Sequence, residues 1–311
     1  MKKFLSTALL VMMVLMVGCG SSEPIRYERS EKLMGTAVTL KATGDESQAA
    51  VDESFDRVNA LVDEIMNDMK RLEAADAGEY VSVGDDVFTM LELSQRYAER
   101  TDGAFDVTVG AALDMWRAAR QNKTLPTDDE LESVKGLVGY EHLHLRASDN
   151  SVMVDVKGVK INLGGVAKGY AADLAHEIFI EHGIADGLID FGTSTIYAIG
   201  KKRIGIKNPR GAGMTDVVEL RDGALSTSGD YERYFEIEGK RYHHIIEPKT
   251  CMPVDNGLAS VSVVVDGDVE YCATVADILS TSVFVLGLER AADLLPQTDY
   301  KLVNVVELND D

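Results

Sequence analysis

Between Gln48 and about Leu72, apolar residues recur at helical spacing (Val51, Phe55, Val58, Leu61, Val62, Ile65, Met66, Met69), with acids on the other face. That pattern predicts an amphipathic helix. Further helices are expected over Asp85–Arg100, Thr108–Arg120, Val166–His182 and Val269–Leu286. Alternation instead marks Gly35–Lys41 as a strand, and strand-like runs follow at His142–Leu145, Ser151–Val156 and Lys160–Leu163. The C-terminal half alternates short strands with turns: Gly187–Asp190, Ile196–Ile199, Arg203–Ile206, Val217–Glu219, Tyr234–Ile237, Tyr242–Ile246 and Ala259–Val265. Asn122–Asp129, with Pro126, reads as a loop, and Leu225–Tyr231 as a hydroxyl-rich loop before a strand. Strands and helices do not alternate regularly, so the expected class is α+β, a largely antiparallel sheet flanked by helices. No internal repeat and no low-complexity linker divides the chain.

The first residues change the picture of where the protein works. Lys2 and Lys3 precede an apolar run, Phe4–Val17, that ends at Met16-Val17-Gly18-Cys19 and is followed by Gly20-Ser21-Ser22. This reads as a signal peptide, not a spanning helix, and the small residue before Cys19 resembles a bacterial lipobox, whose thiol takes a diacylglyceryl group. The expected organisation is a lipoprotein signal peptide at 1–18, a polar tether at 19–31 and a single domain over 32–311. No later segment is expected to span a bilayer. The chain of 311 residues carries 31 Lys+Arg against 52 Asp+Glu, a formal charge of -21. Losing Lys2 and Lys3 with the leader takes it to -23. Such a balance excludes nucleic acid as a partner, since phosphate neutralisation needs clustered cations. It also leaves a lipid anchor, not charge, to hold the protein at an anionic membrane. Cys251 and Cys272 carry no diagnostic spacing and are expected as free thiols.

Four segments carry candidate chemistry. Asn162-Leu163-Gly164-Gly165-Val166-Ala167-Lys168 places a strand, two glycines and a helix start together, so that free amides, the helix dipole and the Lys168 ammonium suit a phosphate. It is neither a Walker loop nor a dinucleotide fingerprint, and a tight strand-to-helix turn would look the same. Asp277 and Thr281, at i and i+4, share one helix face, and two hard oxygens completed by a carbonyl, waters and ligand suit Mg²⁺; a solvated polar face has the same spacing. In Tyr242-His243-His244-Ile245-Ile246-Glu247-Pro248, alternation puts the two histidines on opposite faces, so they do not chelate one metal together. One is a candidate general base, the other reading being a packed histidine. Gly103-Ala104-Phe105-Asp106 is a turn whose Phe either plugs the core or lies against a flat ring.

Taken together, Met34-Gly35-Thr36, Gly103–Asp106, Leu163–Tyr170, Ser226-Thr227-Ser228-Gly229-Asp230-Tyr231, His243–Pro248 and Ala276–Thr281 stand in the order of the motifs of the ApbE family of FAD:protein FMN transferases, which this chain resembles from about Met34 to Leu288. The resemblance implies an ApbE-like fold and an enzyme that uses FAD as substrate and Mg²⁺ as cofactor. It would transfer the FMN moiety to a Thr or Ser hydroxyl of an acceptor protein, releasing AMP. Carried over by position, Met34, Ala104, Phe105, Asp106, Gly164 and Lys168 would contact FAD. The side chains of Asp277 and Thr281 and the carbonyl of Ala167 would hold Mg²⁺, and His244 would be the base. Many members are lipoproteins, which agrees with Cys19 as a lipid attachment site on the extracytoplasmic face of a bacterial cell membrane. Acceptors in the family are typically extracytoplasmic subunits of redox complexes.

The chain departs from the family pattern at Asp190–Thr195, at Glu247, at Cys251 (where Gly is commoner) and over Met66–Glu79 near the expected adenine site. Three other readings stay open: a Mg²⁺-dependent FAD pyrophosphatase giving FMN and AMP, a non-catalytic FAD-binding lipoprotein, and an interaction lipoprotein with a decayed site.

Overall fold

A hairpin opens the described chain, β1 (Arg26–Leu33) against β2 (Thr36–Thr43), joined by Met34 and Gly35. Their φ angles of 50° and 78° are both positive, as a two-residue turn matched to strand twist requires. The computed structural model describes residues 24–192, 194–296 and 298–308. The expected signal peptide over 1–18 and the expected lipid site Cys19 lie outside the described residues. The tether expected through Glu31 is corrected: from Arg26 onward it is strand. β1 is an edge strand, exposing Arg26, Glu28, Ser30 and Lys32 while β2 supplies its hydrogen bonds, so it needs no apolar run and carries edge-blunting charges instead.

The helix α1 (Ser47–Ala74) follows, then the short β3 (Val81–Ser82), α2 (Asp85–Arg100) and α3 (Gly110–Asn122). The stretch after Asn122 is not all loop. Thr127 and Glu130 form a reciprocal capping box that starts α4 (Asp128–Lys135). β4 (Leu143–Arg146) and β5 (Ser151–Val154) make a three-stranded sheet with β3. Lys160–Leu163 is no strand, contributing only an isolated bridge to Val109. Next come α5 (Ala167–Glu181), β6 (Asp186–Phe191), β7 (Thr195–Lys207) and β8 (Met214–Gly229). β7 joins two runs read as separate strands, with a register shift between Ala198 and Lys201, and β8 takes in the hydroxyl-rich run read as a loop. Serine and threonine there face strand neighbours and the core instead of solvent. The small strands β9 (Tyr234–Ile237), β10 (Lys240–His243), β11 (Ile246–Glu247) and β12 (Met252–Pro253) precede β13 (Leu258–Asp266), α6 (Cys272–Leu294) and β14 (Lys301–Glu307).

The main sheet has seven strands in the order β1-β2-β6-β7-β8-β13-β14, every pair antiparallel. The expected α+β class, a largely antiparallel sheet flanked by helices, is what forms. α5 and α6 lie against the sheet and against each other, and α1 packs on α5. Their apolar faces bury Phe55, Phe179, Ile278, Leu279 and Phe284 over Leu40, Ile189 and Val263. A smaller cluster, Ile196, Ile204, Ile206, Leu220 and Leu225, forms apart from this core. By length and composition α6 meets the measure of a membrane span, contrary to expectation, yet 78% of its apolar window is buried within the fold. It is the central core helix.

Candidate active site

The glycine loop ahead of α5 is built tightly against its neighbours. Asn162 Oδ1 accepts the Gly164 amide at 2.9 Å, and a Cβ on Gly164 would stand 2.8 Å from that same oxygen. A Cβ on Gly165 would come within 3.1 Å of Phe105 Cε2 and 3.6 Å of Thr281 Oγ1. The loop therefore lies flush between the Phe105 ring and α6. Val166 gives α5 no side-chain cap, so its first amides seek partners elsewhere. One is satisfied by the other helix: Gly169 N donates to Asp277 Oδ2 at 3.1 Å.

Asp277 is 4% exposed, and its second oxygen accepts from Thr195 Oγ1 at 3.1 Å and Ser226 Oγ at 3.2 Å. The ring of hydroxyls continues through Ser280, Ser228 and Thr281, Ser228 Oγ lying 3.2 Å from Thr281 Oγ1. Three donors leave lone pairs on the carboxylate, and they fix its plane. Among the described residues no three His, Cys, Asp or Glu side chains gather as a metal-binding group. A cation beside Asp277 would draw on the Thr281 hydroxyl and the Ala167 carbonyl, an all-oxygen set of the kind Mg²⁺ accepts when ligand and water complete it. The donor chemistry fits that ion.

The two histidines differ in their bonding. His243, 6% exposed, has Nε2 at 2.8 Å from the Val254 carbonyl, while its Nδ1 accepts the Ile245 amide at 3.2 Å. Its ring meets Phe284 edge-on at 5.6 Å. The next residue, His244, is different: its Nδ1 is buried with no hydrogen-bond partner. Burial pushes the His244 pKa down to about 3, helped by the charges of Arg233, His243 and Lys168, while a backbone hydrogen bond at Arg233 acts the other way. The unpartnered Nδ1 is therefore the ring atom of His244 that no protein group engages.

Asp106 accepts both the amide and the hydroxyl of Thr108 at 2.7 Å, yet burial pushes its carboxyl above the usual range. Cys251 occupies a left-handed turn (φ 56°), a conformation that favours glycine, and its carbonyl accepts the Trp116 indole N–H at 2.7 Å. Both remaining cysteines are buried and free, as expected.

One cavity of about 670 Å³ brings together Met34, Ala104, Phe105, Asp106, Gly164, Ala167, Lys168, His244, Asp277 and Thr281. One wall is apolar and thioether-rich, from Met34, Val62, Ile65 and Met66, and another is aromatic, from Trp116, Phe235 and Tyr242. Arg120, Lys168 and Arg233 also line it, and none forms an ion pair among the described residues. Sequence reasoning missed Arg233 and Thr195 as members of the site, and it placed Ser226 and Gly169 within motifs without giving them a role. Thr195 and Gly169 lie 82 and 108 positions from Asp277, so no local spacing signals them.

The model of the ApbE family matches residues 34–304 of the chain. A FAD:protein FMN transferase of Treponema pallidum (strain Nichols) is 31% identical over 308 residues, covering 89% of this chain and 83% of that one. One of Vibrio cholerae serotype O1 is 28% identical over 319 residues, covering 97% and 93%. Among solved structures, the ApbE protein of Thermotoga maritima superposes with a TM-score of 0.78 at 29% identity, covering 91% of this chain and 97% of that one. The flavin transferase ApbE from Vibrio cholerae gives 0.77 at 25% identity, covering 93% and 95%.

Proposed function

The chain belongs to the ApbE family, and from that premise we propose that it transfers the FMN moiety of FAD to a Thr or Ser hydroxyl of an extracytoplasmic acceptor protein, releasing AMP. The observation that carries this reading is the His244 Nδ1, open and buried in the cavity that also holds the α5 N-terminus, Lys168 and Asp277. FAD would lie with its diphosphate at the start of α5 and Lys168, where the helix dipole and a formal charge favour an anion. Met34, Ala104, Phe105, Asp106 and Gly164 would flank the rest of the molecule, with Phe105 offering a ring face. Asp277, Thr281 and the Ala167 carbonyl would hold Mg²⁺, which when bound supplies charge stabilisation on the diphosphate.

The acceptor hydroxyl gives its proton to His244 Nδ1, and its oxygen attacks the FMN phosphorus. A phosphoester bond forms, the phosphoanhydride bond breaks, and its electron pair leaves with AMP. An imidazole held near 3 is a weak base. The bound diphosphate offsets Lys168 and Arg233, two of the charges that depress it, so substrate binding raises its basicity where it is needed. The leader ahead of Cys19 supports a lipid anchor that places the enzyme on the outer face of the bacterial membrane, alongside flavoprotein subunits of redox complexes.

Incubation with FAD, Mg²⁺ and a peptide carrying a Ser/Thr-Gly-Ala-Thr core tests the reading by mass spectrometry. The expected result is a peptide heavier by one FMN residue, matched by AMP and lost on adding EDTA. AMP with unmodified peptide would instead identify a pyrophosphatase, and unchanged bound FAD a flavin-binding lipoprotein.

A further inference from the structure

α5 and α6 cap each other. The residue before α6, Tyr271, is left-handed (φ 55°, ψ 44°) and provides no side-chain cap. The amides that open α6 are taken up by α5: Asp173 Oδ1 accepts from Ala273 N at 3.0 Å, and Oδ2 accepts from Thr274 N at 2.8 Å and Thr274 Oγ1 at 2.6 Å. In the other direction, Asp277 on α6 accepts the Gly169 amide in the first turn of α5. Each carboxylate thus meets the positive end of the opposite helix. The two bridges are one turn apart on both helices, since Asp173 follows Gly169 by four positions and Asp277 follows Ala273 by four. Gly169 makes this approach feasible, because a Cβ there would run into the Ala273 carbonyl oxygen and Thr274 Cα.

We propose that Asp173 is a positioning residue that fixes the axial placement of α6 on α5, and with it the spacing of Asp277 and Thr281 from the Ala167 carbonyl. The inference rests on the reading of those three oxygens as a cation site. Ala167 begins α5 and Asp277 and Thr281 belong to α6, so the triad is shared between two helices and is only as well defined as their relative slide. Asp173 is 5% exposed and touches the start of α6 one turn before Asp277. A carboxylate so buried is costly unless fully paired, and its three donors all belong to the α6 start. Asparagine in its place would turn an amide N–H toward donors and lose at least one of the three bonds, letting the helix start drift.

The test compares Asp173→Asn and the milder Thr274→Val with the parent protein. Far-UV circular dichroism and a cooperative melt establish folding, Mn²⁺ binding is followed by electron paramagnetic resonance, and AMP release from FAD is titrated with Mg²⁺. In Asp173→Asn, Mn²⁺ affinity and half-saturating Mg²⁺ are expected to shift together by about tenfold or more, the scale on which residues behind metal ligands act. The maximal rate at saturating Mg²⁺ should stay within about threefold of the parent, a split between affinity and turnover that general destabilisation does not produce. Thr274→Val should show the same shift at a smaller size, and it carries the test alone if Asp173→Asn does not fold. A folded variant with parental cation affinity overturns the positioning role while leaving the cation site standing. A parent protein that binds no Mn²⁺ and releases AMP without Mg²⁺ overturns the site itself and the inference with it.

Discussion

His243 has both ring nitrogens engaged, by Val254 and Ile245, whereas Nδ1 of His244, the next residue, is buried without a partner. The first histidine is bonded as a structural element; under the proposed transfer the second would act as the base. His244→Ala is expected to slow FMN transfer by about 10²–10⁴-fold, the usual worth of a positioned base, while FAD still binds as judged by flavin fluorescence. His243→Ala should instead lower the unfolding free energy by about 1–3 kcal/mol, because it strips partners from buried backbone groups. Unchanged transfer kinetics in His244→Ala would remove its assignment as the base.

Two buried groups oppose each other in the pH dependence of stability. The folded His244 pKa of about 3 lies below its ordinary 6.5, so across that window the unfolded chain takes up a proton the folded chain refuses, and stability rises with pH. Asp173 runs the other way. Burial pushes its carboxyl up to about 7 from an ordinary 3.8, so the folded chain keeps a proton the unfolded chain has lost, and stability falls as pH rises. From about pH 4.5 to about pH 6.5, Asp173→Asn should therefore gain more stability than the parent, and His244→Asn less, each by about 1–2 kcal/mol. Urea unfolding at the two pH values checks this, and shifts of the same sign in both variants would refute the opposition.

Asp277→Ala removes the carboxylate on which Gly169, Thr195 and Ser226 converge. Mg²⁺-dependent AMP release from FAD is expected to fall by at least about 100-fold, given what metal-site residues contribute. Thr195→Val, which takes one donor from the carboxylate and leaves the ligand in place, should cost less and show mainly as a higher Mg²⁺ requirement. Normal turnover in Asp277→Ala would dispose of the cation assignment.

Glycine substitutions separate packing from binding. Gly169→Ala sets a methyl group against the α6 backbone and is expected to destabilise the protein by about 1–3 kcal/mol, read from its thermal midpoint. Gly165→Ala meets the Phe105 ring at 3.1 Å, a side chain that can yield slightly. It should therefore keep most of the stability and weaken FAD binding by narrowing the cavity, which calorimetric titration measures.

The helices were legible because their signals are local. α2 runs from Asp85 to Arg100 as the apolar spacing indicates, and α1 extends the expected span by a few residues at its ends. The capping box at Thr127 was present in the sequence, yet Pro126 one position earlier drew the segment toward a loop reading. β14 was missed because Lys301–Glu307 alternates weakly and is completed only by pairing with β13. In the site, Asp277 and Thr281 announce themselves at i and i+4, and the glycine loop at its strand-to-helix junction. What the chain could not disclose locally is which groups hold them. Thr195, Ser226, Gly169 and Asp173 reach their partners across dozens of positions, whereas Arg233 stands near His244 through the short β9–β10 hairpin, one step beyond the His243–Tyr234 pair.

Arg120, Lys168 and Arg233 line the cavity without an ion pair among the described residues, in a chain of formal charge -21, and this has a kinetic consequence. An anionic dinucleotide approaching from beyond the screening length of about 8–10 Å meets a net repulsive field and feels Arg120, Lys168 and Arg233 only at close quarters. For most anion-binding proteins added salt slows encounter, because it weakens steering. Here moderate salt removes the outer barrier before it blunts the inner attraction, so the capture rate should climb with ionic strength and then turn over. The cavity behaves as a short-range trap at the foot of a long-range hill.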